Sequence, residues 1–168
     1  MSFANRGNIA ALLLAICACA NADDDTPGCY WPEVQAHVRE QFAIYGPRSI
    51  ENEYFGFIYR RDARIDSAVT RSSKCSVGRC VLDAGAAWAL LPGGARILGE
   101  WHTHPHDGSA LLSIYDVRGA WQNRNLECYA AYYSKPDGEI LAWDPQRTSV
   151  PTAMASRVHV GNYAEHHG

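Results

Sequence analysis

Two histidines two residues apart, followed by a serine and an aspartate, constrain the fold of this chain more than any other feature. The run Ala95–Trp101 has the pattern of a β-strand, and successive strand side chains alternate between faces, so His102 and His104 share one face. Asp116 follows Ser113 by three residues, the spacing of a helix-capping box, which places its carboxylate in the first turn of a helix. The spacing therefore predicts that a strand and the next helix together supply one metal site.

The ligand types predict which metal this is. Two nitrogen ligands and one oxygen ligand are typical of catalytic zinc, because three protein ligands leave one tetrahedral position for water. We therefore expect one Zn²⁺ held by His102, His104 and Asp116, and the pattern favours a hydrolase. A metallo-β-lactamase type of site, His-x-His-x-Asp-His, does not fit, because His106 precedes Asp107 here.

The motif His102-Thr103-His104-Pro105, seven further residues, and then Ser113-Ile114-Tyr115-Asp116 resembles the JAMM motif of the JAB1/MPN/Mov34 metallopeptidases. The likeness extends over roughly residues 53–145 and is greatest to small bacterial members, including the DUF4329 group. It implies a single-domain α/β fold, a deaminase-like sandwich in which a mixed sheet packs against helices. It also implies a zinc-dependent peptidase or amidase that hydrolyses a peptide or isopeptide bond.

The resemblance also implies a general base. In the family an upstream glutamate takes the proton of the attacking water, and the matching segment here, with its Glu-x-x-Gly pattern, begins at Glu53. Glu51, two residues earlier on the same predicted strand face, and Glu100, beside the ligand strand, remain alternatives. Ser113 is expected to cap its helix, and the matching serine of the family also helps to hold the oxyanion.

Hydrophobic periodicity and turn residues predict the remaining elements. A helix that begins at Pro32 and ends at Gly46-Pro47 precedes two strands, and a short helix capped by Asp83 precedes the ligand strand. The strands are predicted at 53–60 and 65–70, and a hairpin is predicted from the runs 128–133 and 139–143. We expect one domain over residues 23–150 and a flexible C-terminal tail over 151–168. The tail histidines, His159, His166 and His167, are not expected to form a specific metal site.

Residues 1–22 have the pattern of a secretory signal peptide. Arg6 precedes the apolar run Ile9–Ile16, and small residues end at Ala22, the expected cleavage point. This predicts export to the periplasm or the medium, without a membrane span. Lipid attachment at Cys17 or Cys19 is the less favoured alternative.

Four cysteines follow the predicted signal peptide, which suggests two disulfides in an oxidising compartment. Three pairings are possible. Cys75 and Cys80 are close enough in sequence to pair easily, and Cys29 with Cys128 would then join the first helix to the late sheet. A zinc–thiolate cluster is the rival interpretation, but the chain has no paired Cys-x-x-Cys motif to support it.

Charge and composition narrow the classes of partner. The net charge is −3, and no cluster of lysines and arginines or basic face with interleaved aromatics stands out, so neither nucleic acid nor an anionic membrane surface is an expected partner. Three function classes stay open: an exported metallopeptidase, a non-catalytic envelope protein with a vestigial metal site, and a secreted effector or toxin with the same chemistry. The oligomeric state is not predicted.

Overall fold

The protein is an α/β protein built on a six-stranded sheet. The computed structural model describes residues 29, 31–73, 75, 80–105, 113–135, 137–147 and 152–153. The helices are α1 (Trp31–Tyr45), α2 (Ala84–Ala89) and α3 (Ile114–Gln122), with a 3-10 turn at Gly46–Arg48. The strands are β1 (Tyr54–Arg61), β2 (Arg64–Arg71), β3 (Arg96–Thr103), β4 (Ala130–Ser134), β5 (Ile140–Trp143) and β6 (Thr152–Ala153).

The sheet is mixed, with the strand order β2-β1-β3-β4-β5-β6. Strands β3 and β4 run parallel, and each of the other neighbouring pairs in the described sheet is antiparallel. Two parallel neighbours need a crossover connection, and the segment between β3 and β4 contains α3. The predicted α/β class and the predicted hairpin, now β4–β5, are confirmed.

The two faces of the sheet carry different layers. Helix α1 covers one face, where Phe42 packs edge-on against Trp101 with ring centroids 5.6 Å apart. Helices α2 and α3 pack on the other face, where Phe57 joins the cluster around Ala87. Because strand side chains alternate, His102 points away from α1, toward the face of α2 and α3. His102, the first of the predicted ligands, therefore lies on the face that α3 covers.

Two disulfides link Cys29 to Cys128 and Cys75 to Cys80. The pairing favoured by the sequence is confirmed. The first bridge joins residues 99 apart in sequence and the second joins residues 5 apart. Disulfides of this kind form and persist in oxidising compartments.

Several element boundaries differ from the prediction, and three of the differences concern the predicted site residues or the tail. Strand β1 begins at Tyr54, so Glu53 lies just before it, and Glu51 lies in a bend rather than on the strand face. Strand β3 ends at Thr103, which leaves His104 one residue beyond it. Strand β6 pairs with β5 and lies in the segment assigned from sequence to the tail.

Several predicted features lie outside the described residues. They are the signal peptide over 1–22 with Cys17 and Cys19, the residues His106 and Asp107, and the tail histidines His159, His166 and His167. Within the described helices, no segment combines the length and apolarity that crossing a bilayer requires.

Candidate metal centre

The end of β3 and the start of α3 bring three potential ligands together. His102, His104 and Asp116 each offer one ligand atom, and these atoms all lie within 4.8 Å of one another. His102 Nε2 is 3.0 Å from His104 Nε2 and 3.7 Å from Asp116 Oδ1. Tetrahedral zinc with bonds near 2.0–2.1 Å requires ligand atoms about 3.3 Å apart, so these two distances bracket the required edge. The predicted ligand set is therefore assembled with a geometry and donor chemistry that fit a metal ion.

The surroundings of His102 keep its imidazole neutral. Its ring is buried and stacks on the rings of His104 and Tyr133, with centroids 5.0 Å and 5.7 Å away. Burial lowers the pKa of His102 below its ordinary value, and the charge of Asp116 offsets this only in part. A neutral imidazole has a lone pair to offer to a cation, so at neutral pH the ring is in the form that binds metal.

Asp116 has two roles at the first turn of α3. Its Oδ2 accepts a hydrogen bond of 2.7 Å from the backbone N–H of Ser113, and its own N–H donates to Ser113 Oγ over 3.2 Å. This is the predicted capping box, which is confirmed. Because Oδ2 is held by the cap, Oδ1 is the oxygen that faces His102. The capping box thus orients the ligand carboxylate.

Thr103 anchors the strand end between the two histidines. Its side chain is buried, and Oγ1 lies 2.7 Å from Ser49 Oγ and accepts a 2.9 Å hydrogen bond from the N–H of Tyr54. These contacts fix the end of β3 against the segment that leads into β1. This role of Thr103 is not predictable from the sequence, since a threonine on a strand carries no specific signal of a long-range contact.

Glu53 lies beside this centre. Glu53 lies two residues before Phe55, and Phe55 pairs with His102 of β3. Two 2.8 Å hydrogen bonds with Ser72 hold the backbone of Glu53 in place. Burial, and next the charge of Asp116, raise the pKa of Glu53 to about 7. A carboxyl with this pKa exchanges protons readily at neutral pH, as a general base must.

The two alternative glutamates lie in different surroundings. Glu51 is exposed, and its carbonyl accepts a hydrogen bond from the N–H of Cys75. Glu100 is buried on the same face as His102, where the side chains of Tyr129 and Asn123 hydrogen-bond to it. Burial raises the pKa of Glu100 to about 7, and these two hydrogen bonds oppose the rise. Of the three glutamates, Glu53 combines a raised pKa with partial exposure.

No known protein-family model matches this chain, and no curated protein matches it either. The fold and the ligand cluster together define an α/β protein with a candidate His-His-Asp metal centre.

Proposed function

We propose that this protein is an exported zinc-dependent hydrolase that cleaves a peptide or isopeptide bond, as do the JAMM metallopeptidases that its motif resembles. The observation that carries this proposal is the convergence of His102, His104 and Asp116 from a strand end and a helix start. Two nitrogen donors and one oxygen donor form the ligand set of a zinc site that keeps one position open. The two disulfides support export, since they form in oxidising compartments.

Zinc in such a site lowers the pKa of a water molecule towards neutrality and polarises a substrate carbonyl. Glu53 then has the role of general base: it accepts the proton of the attacking water and delivers it to the departing amine. Ser113 Oγ accepts the N–H of Asp116, so its own hydroxyl hydrogen is available to donate to the developing oxyanion.

Metal binding and catalysis can be tested separately. Zinc content is measured by elemental analysis, and cleavage is measured on a peptide library with and without chelator. His104→Ala should lose the ion. Glu53→Gln should keep the ion but lose about 10²–10⁴-fold in turnover, the usual contribution of general acid–base catalysis.

Glu51→Gln is the matched control, because it makes the same change at an exposed position two residues away. It should leave zinc content and turnover unchanged. Turnover that falls in Glu51→Gln and not in Glu53→Gln would transfer the role of base to Glu51. A protein that holds no divalent ion would refute the proposal, and zinc binding without cleavage of any peptide would favour the non-catalytic binding protein.

A further inference from the structure

Tyr133 lies beside the metal centre although no sequence motif includes it. Strand β4 runs parallel to β3, and in their register Tyr133 is the partner of His102. Neighbours in register project from the same face of a sheet, and the two rings stack at 29° with centroids 5.7 Å apart. Tyr133 is 3% exposed, so its ring forms a buried wall of the centre.

The hydroxyl group of Tyr133 is the unusual part of this arrangement. Its Oη is buried, and it has no hydrogen-bond partner among the described residues. Buried polar groups in folded proteins are nearly always paired, because an unpaired one loses its hydrogen bonds to water without replacement. Tyr129, on the same face of the sheet, is a buried tyrosine whose hydroxyl is paired, since it donates a hydrogen bond to Glu100. The unpaired hydroxyl of Tyr133 therefore calls for a function.

Asp116 is the acceptor that the surroundings offer. The Tyr133 ring stacks on the His102 ring, and His102 Nε2 lies 3.7 Å from Asp116 Oδ1, so the phenol, a hydrogen-bond donor, and this carboxylate both border the same imidazole. One Asp116 oxygen accepts from the Ser113 N–H and the other faces His102, yet an ionised carboxylate can accept about four hydrogen bonds in total. Carboxylates that ligate metals are commonly held by such outer hydrogen bonds.

We propose that Tyr133 is a positioning residue of the metal centre, whose hydroxyl donates a hydrogen bond to the Asp116 carboxylate when the site holds a divalent cation. This inference rests on the metal site of the proposed function, but it does not depend on the substrate or on turnover. It gives the buried hydroxyl a partner in the loaded protein. It also predicts that removing the hydroxyl weakens metal binding but does not destabilise the metal-free protein.

The test compares Tyr133→Phe with Tyr132→Phe. Both changes remove one buried phenolic oxygen from β4, but Tyr132 packs in the core on the α1 face. Zn²⁺ affinity is measured by competition with a chromophoric chelator, and thermal unfolding is measured in excess chelator. Tyr133→Phe should bind Zn²⁺ about 10–100-fold more weakly, the usual effect of losing an outer-shell partner. It should unfold no more easily than the unaltered protein without metal, because no hydrogen bond is lost there.

Tyr132→Phe should bind Zn²⁺ with unchanged affinity, whatever its effect on stability. A second measurement needs no variant: adding Zn²⁺ to the unaltered protein should produce a tyrosine ultraviolet difference spectrum, because a phenol enters a new hydrogen bond. Absence of that spectrum, or equal Zn²⁺ affinity of Tyr133→Phe and the unaltered protein, overturns the role of Tyr133 alone. Failure of the unaltered protein to bind Zn²⁺ overturns the proposed function as well.

Discussion

Removing the Cys29–Cys128 disulfide should destabilise the protein about twice as much as removing the Cys75–Cys80 disulfide. A disulfide stabilises largely by restricting the unfolded chain, and the effect grows with the length of the closed loop. The two bridges span 99 and 5 residues. The chain-entropy relation then gives about 4.7 kcal/mol for the long loop and about 2 kcal/mol for the short one.

The paired variants Cys29→Ser/Cys128→Ser and Cys75→Ser/Cys80→Ser measure these contributions, since each retains the other bridge. The free energy of unfolding is obtained from urea titrations followed by tryptophan fluorescence, with chelator present so that metal binding does not contribute. Domains of ordinary size have a total stability of about 5–15 kcal/mol, so the first pair of substitutions removes a large fraction of it.

The packing around the long bridge makes this a test of loop entropy. Cys29 is exposed and Cys128 is only partly buried, so serine in their place sacrifices little packing. Equal losses of stability in the two paired variants, or a greater loss in Cys75→Ser/Cys80→Ser, would show that loop length does not determine the contribution of these bridges.

Three further predictions concern stability and its dependence on pH. Gly99→Ala should lower the free energy of unfolding, measured in urea, by about 3 kcal/mol, because the added Cβ would overlap the carbonyl oxygen of Ala130. Gly93→Ala is the control and should cost far less, because no atom lies within 4 Å of the Cβ built there. Similar losses in the two variants would contradict this prediction. Ser113→Ala should lose about 1 kcal/mol by removing the cap of α3, and Ser113→Thr should retain most of that stability in the same titration. Burial lowers the pKa of His37 below its ordinary value of 6.5. As the pH falls below 6.5, His37 is therefore protonated in the unfolded chain before it is protonated in the folded protein, and acidification lowers the free energy of unfolding. His37→Gln should therefore lose less stability on acidification, and superimposable pH profiles would exclude this contribution.

The parts of the candidate centre that sequence predicts are the local ones. The His-x-His spacing on a strand and the Ser-x-x-Asp capping box each span a few residues, and both follow rules of backbone geometry. The Cys75–Cys80 disulfide is local in the same way, because a short loop favours pairing of its two ends. Once these two cysteines are paired, Cys128 is the remaining partner for Cys29 among the four cysteines that follow the predicted signal peptide.

The parts that sequence does not predict depend on contacts between distant segments. Tyr133 stands beside His102 because β4 pairs parallel to β3, and no local pattern specifies that register. Thr103 is an anchor because Ser49 and Tyr54, about fifty residues away, meet it. The environment of Glu53 likewise depends on the position of Asp116, which the chain reaches only through a complete fold.

The shared use of Asp116 has a consequence for how the centre responds to unfolding of its surroundings. The same carboxylate closes the first turn of α3 and faces His102. Unwinding that turn withdraws an oxygen donor, and any occupant of the site raises the free energy needed for the unwinding. Helix fraying and release of a bound ion are therefore thermodynamically linked, and amide exchange at the start of α3 would report occupancy directly.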